Sequence, residues 1–348
     1  MNQSLSAISA VSLMTISLLH ASGLASHALH LSFVPVWLLF MTIVALPLIF
    51  IEATIVRRTQ QLPLQALVPM TRDADAKTAW RLLPWLAGLV LILLIGYSAQ
   101  YPKQYIASWT QQAVLKESIS YLLVFFAVGF AWVGMRRLLK YVGILVPIAL
   151  AVNGLTAKYY FQIQLLTAEQ WQMVAMATVL SSVMTLGVYS WLMLVQSPPT
   201  HASRSVLPLW FTQTIIGSIV LIIGQTSGQL YIASYMFCAI FAVAILVDVL
   251  AAQLQLRAIQ KPIAFGSVLL LGVVSSYLAE YKVFDVVLNS LNLVTVILYC
   301  IFIGWIMKIS HVRKALNFSH EGIYNLWRVA IRLVVPLTSV WLLISLFV

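Results

Sequence analysis

The chain has 348 residues, of which 62% are hydrophobic and only 8% are charged. Charged residues make up roughly 25% of an average soluble globular sequence, so this composition excludes a soluble protein and indicates a polytopic integral membrane protein. The formal net charge is +11, but the basic residues fall in alternate loops, which is typical of membrane topology and not of a nucleic-acid partner. No long hydrophilic stretch interrupts the chain, so we expect one domain over residues 1–348.

Hydropathy, together with the gaps that carry Lys and Arg, predicts eleven membrane-spanning helices. In chain order these spans cover residues 5–31, 34–56, 83–101, 118–134, 138–157, 173–194, 206–223, 230–252, 263–278, 283–309 and 324–347. Spans 1–5 therefore occupy about residues 5–157, and spans 6–10 occupy about residues 173–309. The two cysteines, Cys238 and Cys300, lie inside apolar runs and indicate neither a disulfide nor a metal site.

The distribution of basic residues predicts which side of the membrane each loop faces. Sixteen of the 20 Lys and Arg residues fall in loops on one side, whereas the other side carries only Lys103, Lys116, Lys158 and Lys282. Cytoplasmic loops are enriched in Lys and Arg. We therefore expect a cell inner membrane protein whose N-terminus is cytoplasmic and whose C-terminus is outside.

Two spans contain clusters of small and polar residues at mid-depth. Span 1 reads HASGLASH at residues 20–27, and span 6 reads VMTLGVYS at residues 183–190. Spans 1 and 6 begin the two halves of a five-plus-five arrangement, and matching interruptions in corresponding helices are typical of transporters built from inverted repeats. The alternative is close helix–helix packing, which also uses small and hydroxyl residues.

Span 2 ends in the sequence PLIFIEATIVRR at residues 47–58, and Glu52 is the only ionisable residue of the span. A carboxylate in hydrocarbon costs several kcal/mol. We therefore expect Glu52 to face protein and to accept hydrogen bonds from the bare backbone of a broken helix. The alternative is that Glu52 leans toward the membrane interface, because Arg57 follows at about 8 Å along a helix.

Four fragments, in their order and spacing, resemble the neurotransmitter:sodium symporter family, in particular its compact bacterial members with eleven helices. PLIFIEATIVRR is similar to the second helix of that family, which has a Pro-Leu-x-x-x-Glu pattern and then a basic residue. GMRRLLKYVGILVPIAL (residues 134–150) is similar to the passage from helix 4 to helix 5. IFIGWIMK (residues 301–308) and LWRVAIRLVVPL (residues 326–337) are similar to the end of helix 10 and to helix 11.

The resemblance implies an all-α membrane fold of two inverted five-helix repeats, with helices 1 and 6 broken and a substrate site at the midplane between helices 1, 3, 6 and 8. Glu52 corresponds to the helix-2 glutamate that supports the unwound backbone, and Asp285 lies next to the position of the external-gate aspartate. The alternative for Asp285 is a solvated carboxylate in a short loop. The positions that correspond to substrate contacts are Gly23, Leu24, Ser26, Tyr97, Thr185, Leu186 and Gly187.

This chain departs from the family pattern at the gates and at the cation sites. No arginine follows the helix-1 motif, so the external gate lacks its cation unless His27 or His30 replaces it. Where the family has Thr/Ser hydroxyls for sodium in helix 8, this chain reads FAVAILVDV at residues 241–249, and helix 7 has no matching asparagine. Sodium needs a cage of several oxygen ligands. Both sodium sites therefore look degraded, which puts sodium coupling in doubt, and we expect no other metal or cofactor.

Asp248 is a second carboxylate well inside a span. It lies near the positions of the lost sodium ligands, where a carboxyl group could serve proton coupling. The alternative, which we favour, is a side chain toward the cytoplasmic end of span 8 that packs on a polar neighbour.

These features favour a secondary transporter of a small amino-acid-like or amine solute that works by alternating access. Its expected partners are that solute and the lipid bilayer, and either facilitated diffusion or proton coupling could replace sodium coupling. The second hypothesis is a transport-inactive homologue that serves as a membrane sensor or assembly partner, since it would keep the fold while losing ligands and gates. We do not expect an enzyme, because the sequence shows no metal-ligand cluster, nucleophile–base pair or phosphate-binding glycine loop.

Overall fold

The computed structural model describes residues 2–27, 31–106, 113–143, 163–182, 187–194, 201–223 and 229–348, together with single positions between 146 and 154. All regular secondary structure within these residues is helical. In chain order the helices are α1 (Asn2–Ala21), α2 (Leu24–His27), α3 (Phe33–Thr59), α4 (Pro63–Asp73), α5 (Leu83–Ile106), α6 (Ala113–Val142), α7 (Ala168–Ser181), α8 (Val188–Met193), α9 (Ser203–Ile223), α10 (Gln229–Gln255), α11 (Lys261–Leu278), α12 (Lys282–Ile301), α13 (Ile309–Leu316) and α14 (Glu321–Ser345).

Eight of the described helices are long and apolar enough to cross a membrane, and the chain is a multi-pass membrane protein. These eight correspond to predicted spans 2–4 and 7–11. Spans 1 and 6 are the interrupted pairs α1–α2 and α7–α8, whereas span 5 is described at residues 138–143 and at single positions up to 154. The all-α polytopic fold with broken helices that the sequence predicted is confirmed.

Both interruptions occur at glycines whose backbone conformation other residues rarely adopt. α1 ends at Ala21, and Gly23 has a φ angle of 73° immediately before α2. α7 ends at Ser181, and Gly187 has a φ angle of 108° immediately before α8. A positive φ angle costs glycine little because it has no Cβ atom, so each glycine allows the chain to leave the helical path.

A third glycine separates predicted spans 4 and 5. α6 is kinked at Gly134, where φ is 110° and ψ is 96°. A Cβ atom at this position would meet no atom within 4 Å, so the backbone conformation and not crowding requires glycine here. The first helical turn after the kink carries Arg136 and Arg137, and we call it the basic turn of α6.

Span 10 ends earlier than the predicted residue 309. α12 continues into a π-helical segment (Phe302–Ile306), after which Met307 and Lys308 are extended and α13 begins. Hydropathy misses this turn because Met307 is as apolar as the helix before it. α13 and α4 lie in the loops that the sequence left without structure, where the ion pairs Arg58–Asp73 (2.6 Å) and Arg313–Glu321 (3.1 Å) help to position them.

The two broken pairs lie inside the helix bundle. α1 packs against α6, α9 and α10, and α10 packs in turn against α5 and α6. Trp37 of α3 is fully buried against α9, where its Nε1 donates to the Thr214 carbonyl oxygen at 3.3 Å. The Cβ atom of any residue other than glycine at position 217 would approach the Trp37 ring to 2.4 Å, so α3 and α9 are in direct contact.

Candidate solute site around the two broken helices

Glu52 accepts three hydrogen bonds from the beginning of α8. Its side chain is fully buried in α3. One carboxylate oxygen, Oε1, accepts from the Gly187 amide at 3.2 Å, and Oε2 accepts from the Ser190 amide at 2.6 Å and from Ser190 Oγ at 2.7 Å. The first amides of a helix have no partner within that helix, so the carboxylate satisfies groups that the break in span 6 leaves open.

The geometry explains how a carboxylate can be tolerated at this depth. Hydrogen bonds to a charged group contribute about 1.5–3 kcal/mol each, and three of them offset much of the cost of burying the charge. Glu52 faces protein and the broken helix, as the sequence predicted, and does not lean toward the interface. Ser190 supplies two of the three donors, and the positive φ angle of Gly187 orients the third.

A second polar cluster joins the two halves of the broken span 6. The Tyr189 hydroxyl of α8 donates to Oε1 of Gln213 in α9. Gln213 Nε2 donates to Ser181 Oγ at 3.1 Å, and Ser181 is the last residue of α7. Gln213 is fully buried, and its amide is satisfied at both ends. One glutamine from α9 therefore connects the end of α7 to the beginning of α8.

The break between α1 and α2 is held by backbone and ring contacts. His20 is buried, and its Nδ1 donates to the Ile16 carbonyl oxygen at 2.7 Å. The His20 ring packs on Tyr235 of α10, with ring centroids 4.7 Å apart. The Gly23 amide donates to the His20 carbonyl oxygen at 2.9 Å, and Leu24 is fully buried.

Of the other residues predicted to contact the solute, the structure describes only some. Tyr97 is half-buried in α5, and its neighbour Ser98 is buried. The side chain of Ser26 lies outside what the structure describes, as do Thr185 and Leu186. Asp285 lies in the first turn of α12 and is exposed. Gly187 and Glu52 are brought into direct contact by the hydrogen bond given above.

Asp248 lines a cavity of about 720 Å³ on the side of the protein that carries most of the basic residues. The Asp248 carboxylate accepts a hydrogen bond from the Met135 amide and interacts electrostatically with Arg136. It therefore lies toward the end of α10 and packs on polar neighbours, which is the interpretation that the sequence favoured. The cavity is also lined by Gln60, Gln61, Gln65, Gln255, Arg137 and Lys261.

Arg136 connects this cavity to the broken helix. Its guanidinium group lies over the Trp191 ring, 4.6 Å from the centroid, and its Nη2 donates to the Trp191 carbonyl oxygen at 3.3 Å. Trp191 directly follows Ser190, which binds Glu52. α8 is thus in contact with α3 at Ser190, with α9 at Tyr189 and with the basic turn of α6 at Trp191.

The comparisons with known proteins identify the fold. No sequence profile of a known protein family matches the chain, and no curated protein matches it in sequence. The crystal structure of MhsT, a bacterial transporter of the neurotransmitter:sodium symporter family, in complex with L-phenylalanine, aligns with a TM-score of 0.69 and 15% sequence identity, over 97% of this chain and 98% of that chain. The chain has a neurotransmitter:sodium symporter fold.

Two residues take part in this site although no sequence pattern singled them out. Gln213 joins the two halves of the broken span 6, and Arg136 is the basic residue beside Asp248. Ser190, which donates twice to Glu52, belongs to the polar cluster at residues 183–190 that the sequence indicates. An uncharged polar residue in the middle of span 7 was the available signal for Gln213. For Arg136 no signal existed, since its contacts with α8 and α10 join distant parts of the sequence.

Proposed function

We propose that this protein is a secondary transporter of a small amino-acid-like or amine solute and works by alternating access. The buried Glu52 carboxylate, which holds the first amides of α8 at the break in span 6, is the observation that carries the proposal. Broken helices expose backbone donors and acceptors in the interior of a membrane protein, where a polar solute can bind them. MhsT, which has the same fold, is seen with L-phenylalanine, and this supports an amino-acid-like solute.

We place the solute between the two breaks and α5. The proposed contacts are the backbone at the first break (Gly23, Leu24 and Ser26), the backbone at the second break (Thr185, Leu186 and Gly187), and the hydroxyl of Tyr97. A phenolic hydroxyl can donate to a carboxylate, which gives Tyr97 its role toward an amino-acid solute. Asp285, at the start of α12, is proposed as part of the external gate.

We further propose that transport does not depend on sodium. In α10 the side chains of Val243, Ile245, Leu246 and Val247 are fully buried and have no oxygen to offer a cation. In α9 the Gln213 amide already binds Tyr189 and Ser181. A sodium ion needs several oxygen ligands together, so we expect either facilitated diffusion or proton coupling, with Asp248 as the candidate carboxyl group for the latter.

Thermal stability of the purified protein tests solute binding first. A ligand that binds only the folded state raises the free energy of unfolding by about 2.7 kcal/mol at a hundredfold excess over its Kd. We expect one class of amino acids or amines to raise the unfolding temperature equally in sodium and in potassium buffer. Tyr97→Phe should weaken this response, whereas Tyr277→Phe, which removes a hydroxyl from an exposed tyrosine, should not. A response that requires sodium would contradict the sodium-independent mechanism.

The alternative function is a transport-inactive homologue that acts as a membrane sensor or assembly partner. Two contacts favour it: the His20 ring packs directly on Tyr235 at the first break, and Tyr189, Gln213 and Ser181 are bonded across the second break. Uptake by protein reconstituted in liposomes separates the two functions. Solute-dependent stabilisation without uptake would indicate a sensor, and no response to any solute would favour an assembly role.

The proposed orientation places the N-terminus and the large cavity on the cytoplasmic side of the inner membrane. Single cysteines introduced at the exposed Asp75 and Glu280 lie on opposite sides in this topology. In intact cells we expect an impermeant thiol reagent to modify the Glu280→Cys variant and to spare the Asp75→Cys variant. The reverse pattern would show that the protein is inserted the other way.

A further inference from the structure

α12 carries a row of polar side chains along one face. Asp285, Asn289, Asn292 and Tyr299 follow one another at spacings of four, three and seven residues, and such spacings place side chains on the same face of an α-helix. At 1.5 Å per residue the row extends about 21 Å from Asp285 to Tyr299. We call these four residues the α12 polar row.

The row passes from an exposed end into the protein interior. Asp285 is exposed, Asn289 is half-buried, and Asn292 and Tyr299 are each 0% exposed. Within the part of the chain that the structure describes, Asn289 Oδ1, both polar atoms of Asn292 and the Tyr299 hydroxyl have no hydrogen-bond partner. On the same helix Thr295 differs, since its Oγ1 donates to the Leu291 carbonyl oxygen at 2.7 Å, whereas Ser290 Oγ, outside the row, also has no partner among the described residues.

The inner end of the row lies beside the cluster at the break in span 6. Tyr299 interacts electrostatically with Glu52, and α12 packs against α3, α5 and α7. In α5 the buried hydroxyl of Ser98 likewise has no hydrogen-bond partner among the described residues. A helix that packs against α12 therefore also carries a buried polar atom without a partner among the described residues.

Buried polar groups are nearly always hydrogen-bonded, either to protein or to ordered water. A buried water molecule typically makes about three hydrogen bonds to groups that are otherwise unsatisfied. Four such atoms in a row, open at one end to the surface, fit a file of water molecules better than four separate unpaired groups, because each unpaired group costs free energy.

We propose that the α12 polar row binds a file of water molecules. This file connects the exposed end of the row, at Asp285, with the interior around Glu52 and the beginning of α8. Asn292 accepts from and donates to this water at mid-depth, and the Tyr299 hydroxyl binds its inner end. The file requires neither a solute nor transport, so it goes beyond the proposed function. It provides the interior of the protein with a wet path on the side opposite to the large cavity.

Radiolytic hydroxyl labelling tests this proposal in the unmodified protein, because X-rays generate hydroxyl radicals from bound water at the place where that water is held. Tyr299 and Tyr189 are both fully buried, but Tyr189 donates its hydroxyl to Gln213 and serves as the matched control. With the protein in lipid nanodiscs, we expect Tyr299 to be labelled several-fold faster than Tyr189. Equal labelling of the two tyrosines would overturn the proposal.

Two variants of the same helix supply a second, independent test. Asn292→Leu fills the row at mid-depth with an apolar side chain, so we expect Tyr299 labelling to fall to the level of Tyr189 and the unfolding temperature to fall as well. Thr295→Val, whose hydroxyl is bonded within the helix, should change neither. A higher unfolding temperature in Asn292→Leu than in the unmodified protein would show that position 292 is dry, and would overturn the proposal.

Discussion

The three hydrogen bonds of Glu52 predict the result of replacing it by the isosteric amide, Glu52→Gln. Glutamine has one acceptor oxygen where glutamate has two, and its NH₂ group only donates. If the oxygen keeps both Ser190 donors, the NH₂ group faces the Gly187 amide, and that bond is lost. A bond to a charged group contributes about 1.5–3 kcal/mol, and a buried unpaired group costs about 1–3 kcal/mol. We therefore expect a net loss of about 2–4 kcal/mol, since neutralising the carboxylate returns part of its desolvation cost.

Hydrogen exchange measures this loss where it occurs. The amides of Gly187 and Ser190 are the donors, so their exchange reports the opening of the contact between α3 and α8. Each 1.4 kcal/mol corresponds to a tenfold change in an equilibrium, so the expected loss accelerates exchange at α8 by about thirtyfold to a thousandfold. The unfolding temperature of the purified variant should fall at the same time.

Thr54→Val is the matched control for this experiment. Thr54 lies in the same helix, is fully buried, and donates its hydroxyl to the Phe50 carbonyl oxygen of that helix at 2.8 Å. Its removal leaves no distant donor without a partner, so exchange at α8 should stay as in the unmodified protein. If Glu52→Gln exchanges and unfolds like Thr54→Val, Glu52 does not hold α8, and the observation behind the proposed function fails.

Three further predictions concern the Tyr189–Gln213 contact, the Gly134 kink and the Arg136–Trp191 contact. Tyr189→Phe and Gln213→Leu should each destabilise the protein by about 1–3 kcal/mol, because each leaves a buried partner unpaired. A double-mutant cycle in thermal unfolding should show a coupling of about 0.5–3 kcal/mol between them. Additive effects would show that the two side chains do not interact. Gly134→Ala should lower the free energy of unfolding by about 1–3 kcal/mol, because alanine is strained at a positive φ angle. Gly129 is a helical glycine with the same open surroundings, and Gly129→Ala should raise the free energy of unfolding by about 0.4–1 kcal/mol. Equal effects of the two substitutions would contradict the kink. Arg136→Ala should lower the unfolding temperature, because it removes the contacts with Trp191, of which the cation–π contact contributes about 0.5–2 kcal/mol to stability. Arg137 lines the same cavity, and Arg137→Ala should lower the unfolding temperature less. The opposite order would contradict the contact between Arg136 and Trp191.

Sequence patterns predicted the parts of this structure that local chemistry dictates. Glu52 could be placed because a carboxylate in the middle of an apolar span has few alternatives to a partner in the protein. The breaks could be placed because Gly23 and Gly187 fall in clusters of small residues at corresponding positions of spans 1 and 6, and both have positive φ angles.

The same patterns could not predict contacts that depend on three-dimensional packing. In the sequence Gln213 is only a polar residue in a span, and its bonds to Tyr189 of α8 and Ser181 of α7 follow from the packing of α9. Arg136 is one of many basic residues in the predicted loops, although its guanidinium group packs on Trp191, 55 residues later in the chain. Periodicity and hydropathy carry no information about such pairs.

The three contacts of α8 restrict how the protein can change shape. Tyr189, Ser190 and Trp191 are consecutive, and they bind three different helices: α9 through Gln213, α3 through Glu52 and α6 through Arg136. A short helix of six residues has little cohesion of its own, so these contacts fix its position. Movement of α8 must break one or more of these contacts, or carry the helix on the other side of each unbroken contact with it. The Trp191 contact is the one that borders the large cavity and lies beyond the Gly134 kink, so it can open while the contacts of Glu52 and Gln213 persist. In the alternating access that we propose, the first contact of α8 to open would be the one between Arg136 and Trp191.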